Sequence, residues 1–129
     1  MFDWKKPTVQ MLGRWQPWHQ GHQELFKKCL NKTGQVIIQV RDVQGSSGGD
    51  GQDDNPFDWD TVCKNIEEGL SKDNFKRGFE YEIMLVPNII NISYGRGVGY
   101  SFEEIVLEEK IQKISATKIR KNMRKDGKL

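Results

Sequence analysis

Gly13-Arg14-Trp15-Gln16-Pro17-Trp18-His19-Gln20-Gly21-His22 decides how this chain is read. A short apolar run, Thr8 to Leu12, precedes it and predicts a strand. An amphipathic run, Gln23 to Lys32, follows it and predicts a helix. A strand, a turn carrying glycine and proline, then a helix opening on histidine is the layout of a phosphate site. The first N–H groups of a helix have no partner within it. Gly13, lacking a Cβ, lets the backbone approach a ligand. His19 and His22 lie three apart and share one face of a helical turn, and Gly21 removes bulk beside that face. Two imidazoles at the positive end of a helix can donate hydrogen bonds to phosphate oxygens.

Beyond that turn, Leu25, Phe26, Cys29 and Leu30 form an apolar stripe at helical spacing, and Gly34 stops the helix. Gln35 to Val40 predicts a second strand. Its apolar residues Val36, Ile37, Ile38 and Val40 are nearly continuous, which predicts cover on both faces and a parallel sheet between helix layers. Arg41 and Asp42 follow, at the end where open α/β sheets hold ligands. Residues 44–54 are rich in glycine, serine and aspartate and read as a mobile surface loop or as a lid over substrate. Asn55-Pro56 predicts a helix start, with asparagine as cap and proline at the first helical position. Trp59, Val62, Cys63, Ile66 and Leu70 then share an apolar face. Tyr81 to Val86 predicts a third strand, closed by Pro87. Asn88, Tyr94 and Arg96 come after that strand's end and join Arg41 and Asp42 as candidate contacts to a base or an acceptor. Tyr100 to Leu107 reads as a fourth strand or an edge element. The expected fold is α/β, a Rossmann-like three-layer αβα sandwich around a mostly parallel sheet, forming one domain over residues 1–129.

Composition narrows the class. Charged residues are 29% and hydrophobic ones 36% of 129, a soluble globular balance. No apolar run approaches the ~20 residues of a membrane span. The opening Met1 to Lys6 lacks the apolar centre of a signal peptide. Cys29 and Cys63 fall among apolar residues and read as reduced thiols, so the expected compartment is the cytoplasm. Net charge is +2 but uneven. From Lys110 onward the chain carries Lys113, Lys118, Arg120, Lys121, Arg124, Lys125 and Lys128 against Asp126 alone. That end wants an anion. It lacks the aromatic–basic interleaving of a single-stranded nucleic-acid binder, so a nucleotide fits better than a nucleic acid. No third ligand stands at a convincing spacing from His19 and His22 for a zinc site, so no protein side chain is assigned to a metal.

Lys113-Ile114-Ser115-Ala116-Thr117-Lys118-Ile119-Arg120 is the second informative stretch. Ser115 is a good helix cap. A serine and a threonine at a helix start, with an arginine one turn in, form another anion-binding device.

The opening stretch closely resembles the His-x-Gly-His signature of the nucleotidyltransferase superfamily, in its Gly-Arg-Phe-x-Pro-x-His-x-Gly-His form. Trp15 stands where that form carries phenylalanine. The second stretch resembles the Ile-Ser-x-Thr-x-Ile-Arg motif that closes the same catalytic fold. The resemblance implies attack by an acceptor phosphate oxygen on the α-phosphorus of a nucleoside triphosphate, with release of pyrophosphate. It implies that His19, His22 and Arg120 are catalytic. Gly13, Arg14, Trp15, Gly21, Ser115, Ala116 and Thr117 would bind the nucleotide. Mg2+ would ride mainly on the phosphates, since it keeps its waters and needs few protein ligands. Chain length and the Ser-x-Thr-Lys-Ile run look like compact cytidylyltransferases, which makes CTP the first expectation and a phosphorylated small molecule the acceptor. The opening motif and Asn55-Pro56-Phe57 look more like nicotinamide-mononucleotide adenylyltransferases, which makes ATP the alternative. A nucleotide binder without turnover and a homodimer both remain open.

Overall fold

The computed structural model describes residues 1–45 and 54–128. Most of the stretch read as a loop or lid, residues 46–53, lies outside the described residues. Strand β1 (Val9–Gly13), helix α1 (Gln20–Thr33), strand β2 (Val36–Arg41), helix α2 (Trp59–Ser71) and strand β3 (Tyr81–Val86) succeed one another. A short helix α3 (Glu109–Gln112) and a final helix α4 (Ala116–Lys125) follow. The strands pair in parallel in the order β1-β2-β3. Gly13 stands opposite Val40, and Arg41 opposite Val86, so the strands end level with one another. The mixed α/β succession and the parallel, Rossmann-like sheet are as expected.

Burial explains the layering. Met11, Val36, Ile38, Val40, Tyr81 and Ile83 point to one face and join Phe26 and Cys29 of α1 and Val62, Ile66 and Leu70 of α2 in a single cluster. Phe26, Ile66 and Leu70 are fully buried. Side chains of that size contribute roughly 1.5–3 kcal/mol each on leaving water. The near-continuous apolar run of β2 predicted equal cover on both faces. Its burial alternates instead, with Ile37 and Gln39 only half-buried. Gln10, Leu12, Ile37, Gln39 and Met84 share the second, partly open face. The alternating cover is set by where the helices pack, which the run of isoleucine and valine does not encode.

Boundaries moved in two places. Helix α1 begins at Gln20, because His19 itself serves as the cap. Helix α2 begins at Trp59, with Asp58 rather than Asn55 as its cap, and Asp58 accepts from Thr61 N–H at 2.8 Å. Asn55-Pro56-Phe57 lies outside any helix or strand instead, pinned to the first loop by bonds to Arg14 and Gln16. Gly34 closes α1 in the left-handed region at φ 87°, as expected. Residues Tyr100 to Leu107 form no strand among the described residues. Ile105 packs against the core and Glu103 pairs with Lys32 of α1 at 2.9 Å, so this run follows α1 instead of extending the sheet. Cys29 and Cys63 are free thiols. No helix among the described residues is long and apolar enough to cross a membrane.

Candidate functional site

The first loop is held by its own aromatic and amide groups. Trp15 takes a left-handed backbone, φ 55°, which costs a bulky residue of order 1–3 kcal/mol. Its indole offsets that cost by donating to the Gln39 carbonyl at 3.0 Å. The same ring lies over Gly13, where an added Cβ would come within 2.8 Å of it. The open backbone expected at Gly13 is therefore filled by Trp15, and the glycine makes room for a ring of the protein itself. Gln16 is buried and grips Phe57 twice, accepting from its N–H at 2.9 Å and donating to its carbonyl at 3.0 Å. Arg14 reaches the Asn55 side-chain oxygen at 3.4 Å.

At the start of α1 the two histidines cap one another's backbone. His19 Nδ1 accepts from Gly21 N–H at 3.0 Å, and His22 Nδ1 accepts from His19 N–H at 3.2 Å. A ring nitrogen that accepts carries no proton, so each proton sits on Nε2. Both imidazoles are thereby set as Nε2–H donors. The expectation of an unpartnered helix end is corrected at Gly21, whose N–H is consumed by His19. The rings stack with centroids 3.6 Å apart. Trp15 meets His22 edge-on at 4.7 Å, and Trp18 meets it at 5.4 Å. Burial lowers the pKa of both histidines, and the neighbouring His19 lowers His22 further, to about 3. Both are neutral at physiological pH. Gly21 is needed for space, since a Cβ there would stand 2.8 Å from His19 Cε1.

Helix α4 brings the second motif to this loop. Ser115 caps it by accepting from Lys118 N–H at 3.4 Å. Arg120 is only 3% exposed. It donates to the Gln16 carbonyl at 2.6 Å, and to Asp54 and the Thr117 hydroxyl, each at 3.3 Å. A guanidinium 104 residues along the chain thus ties the start of α4 to the loop that leads into α1. Burial lowers the Arg120 pKa, Asp54 counters this, and Arg14 and Arg124 lower it again. Two further arginines thus stand close enough to disfavour the charge of Arg120, a setting that an anion would relieve.

Gly13, Arg14, Trp15, His19, Gly21 and His22 share the first loop and the start of α1. The second motif meets that loop through Arg120, which also binds Thr117; Ser115 and Ala116 open the same helix one turn earlier. Arg41 stands at the end of β2 and donates to Asn88 at 2.7 Å. Asp42 is exposed and extends the β2–β3 ladder through its N–H to Val86. Tyr94 packs on Phe102 and Tyr100 at 4.8 and 5.9 Å, and Arg96 is exposed on the same loop. Neither of these two contacts the histidines. Gln16 and Asp54 went unnoticed in the sequence. Gln16 sits inside the motif at a variable position, and Asp54 lies in an acidic, glycine-rich stretch that gives no local signal. No group of three or more His, Cys, Asp or Glu side chains among the described residues is placed to hold a metal ion.

Comparison with known proteins points the same way. No family model matches the chain. A nicotinamide-nucleotide adenylyltransferase of Methanococcus aeolicus is 35% identical over 65 residues, 50% of this chain and 36% of that protein. One from Methanococcus maripaludis is 42% identical over 36 residues, 28% of this chain and 21% of the relative. One from Archaeoglobus fulgidus is 28% identical over 76 residues, 59% of this chain and 41% of the relative. The match spans less than half the length of each relative. Over that part the chain is similar to archaeal proteins named nicotinamide-nucleotide adenylyltransferase, within the nucleotidyltransferase superfamily.

Proposed function

We propose that this protein is a nucleotidyltransferase that moves an adenylyl group from ATP to a phosphorylated small molecule and releases pyrophosphate. The observation that carries the reading is the bond from Arg120 to the Gln16 carbonyl, which ties the second turn of α4 to the loop that leads into α1. The expectation of CTP gives way to ATP because the named relatives are adenylyltransferases.

An acceptor phosphate oxygen attacks the α-phosphorus, the bond from that phosphorus to the bridging oxygen breaks, and pyrophosphate takes the electron pair. No protein nucleophile is required, so the protein's work is alignment and stabilisation of charge. The Nε2–H groups of His19 and His22 donate to the transferring phosphate. Being neutral, they donate without losing a proton to the acceptor. The first-turn N–H groups of Ala116 and Thr117, with the charge of exposed Arg14, hold the β and γ phosphates. Buried Arg120, its terminal nitrogens taken by Gln16, Thr117 and Asp54, fixes α4 beside the first loop. Mg2+ bound to the triphosphate would neutralise charge on those oxygens, which suits a site with few carboxylates.

Thermal shift with ATP, CTP, GTP and UTP, each with Mg2+, tests the nucleotide, because a ligand of the native state alone raises its apparent stability. ATP should raise the melting temperature most, and pyrophosphate release should follow once a phosphorylated acceptor is supplied. His19→Ala and His22→Ala should lose turnover by about a hundredfold or more while still folding. A larger shift with CTP, or full turnover in both variants, contradicts the proposal.

A further inference from the structure

A second feature stands at the ends of β1 and β2, on the sheet face that the helices leave half-covered. Leu12, Arg41, Ile89, Ile90, Asn91 and Ile92 line a cavity of about 440 Å³ there. Arg41 spends one terminal nitrogen on Asn88. Its Nε is buried and has no hydrogen-bond partner among the described residues. A buried donor left unpaired is costly, and native structures rarely keep one without a use. The walls beside it are apolar, and Ile90 at the lip is 88% exposed. An apolar cleft with one convergent charged group is the usual form of a small-molecule site. An edge of a guanidinium matches the two oxygens of a carboxylate or phosphate.

We infer that this cavity seats the acceptor, a small organic oxyanion whose acidic group lies on Arg41 and whose carbon body lies against Leu12, Ile90 and Ile92. The guanidinium of Arg41, which lines the cavity, takes that group, and Asn88 holds the guanidinium in place. Gly13 follows Leu12 directly, so the seat adjoins the loop that carries the histidines. The identity of the occupant as acceptor rests on the adenylyl-transfer reading. The binding itself does not.

The test titrates the full chain with phenyl phosphate, benzoate and phenol, following the Arg41 Nε–H resonance by 15N-resolved NMR and affinity by calorimetry. Phenyl phosphate and benzoate should bind one to one and shift that resonance, and phenol should not bind. Arg41→Met should weaken binding about tenfold or more, and Arg41→Lys should recover part of it. Binding of phenyl phosphate should persist in His19→Ala. Equal affinity in Arg41→Met, binding lost in His19→Ala but kept in Arg41→Met, or phenol binding as well as phenyl phosphate would each overturn the assignment. A chain that binds these probes at Arg41 but never releases pyrophosphate keeps this site while the transfer reading fails.

Discussion

His22 packs against the indoles of Trp15 and Trp18 and stacks on the ring of His19, and that enclosure makes it a pH-linked residue. Burial first, and His19 second, hold its pKa at about 3 against an ordinary value of 6.5. Between those values the unfolded chain binds a proton that the native chain refuses. The stability this neutral ring contributes is complete above pH 6.5 and is lost as pH falls toward 3, by up to about 1.4 kcal/mol per pH unit. Urea unfolding followed down that range should show the slope, and His22→Asn should flatten it to the share left by His19. An equal slope in the variant would contradict the buried, neutral assignment. Gly21 gives a second test at this scale. Gly21→Ala gains helix propensity, about 1 kcal/mol, but drives a methyl into the His19 ring. The melting temperature should hold while turnover falls about tenfold or more, because an angstrom of misplacement is enough. Unchanged turnover would mean that His19 does not need its present position.

At the scale of elements, α4 is joined to the site chiefly through Arg120, with Met123 packed on the core beside it. Arg120→Met leaves the Gln16 carbonyl without its donor, a loss of about 1–3 kcal/mol for a buried acceptor. Amide exchange in α4 should quicken by about tenfold or more while the central strand β2 keeps its protection. Equal protection of α4 in the variant would show that the helix docks by other means. The same elements show what could be read beforehand. Strand β3 was legible to the residue, because Tyr81 to Val86 is an apolar run ended by proline. Ser115 was legible as a cap from its place before Ala116. The start of α2 was not, because Asn55-Pro56 satisfies the local rule for a cap while Arg14 and Gln16 compete for that same backbone and side chain. The opening of α1 on histidine was legible, but the amphipathic run began three residues late, at Gln23, because the first turn carries glutamine, glycine and histidine in place of apolar residues.

Taken whole, the described residues form a parallel three-stranded sheet with α1 and α2 packed on one face and the histidine-bearing loop following the end of β1. Two motifs near opposite ends of the chain were visible in the sequence as separate signals. Their convergence was expected from the resemblance alone; the contact that joins them, one guanidinium reaching the Gln16 carbonyl across the fold, has no local signal in the sequence. Residues 100–107 illustrate the same limit. Their apolar and aromatic content suits a strand, but a strand needs an edge to pair with, and the chain takes them along α1 instead. The central claim is that both helix starts address one triphosphate. A crystal structure with α,β-methylene ATP and Mg2+ tests it most directly. The account predicts the α-phosphate within hydrogen-bond reach of His19 and His22 Nε2, with the β and γ phosphates on the N–H groups of Ala116 and Thr117. A nucleotide held by only one of the two helix starts, or bound away from both, would contradict it.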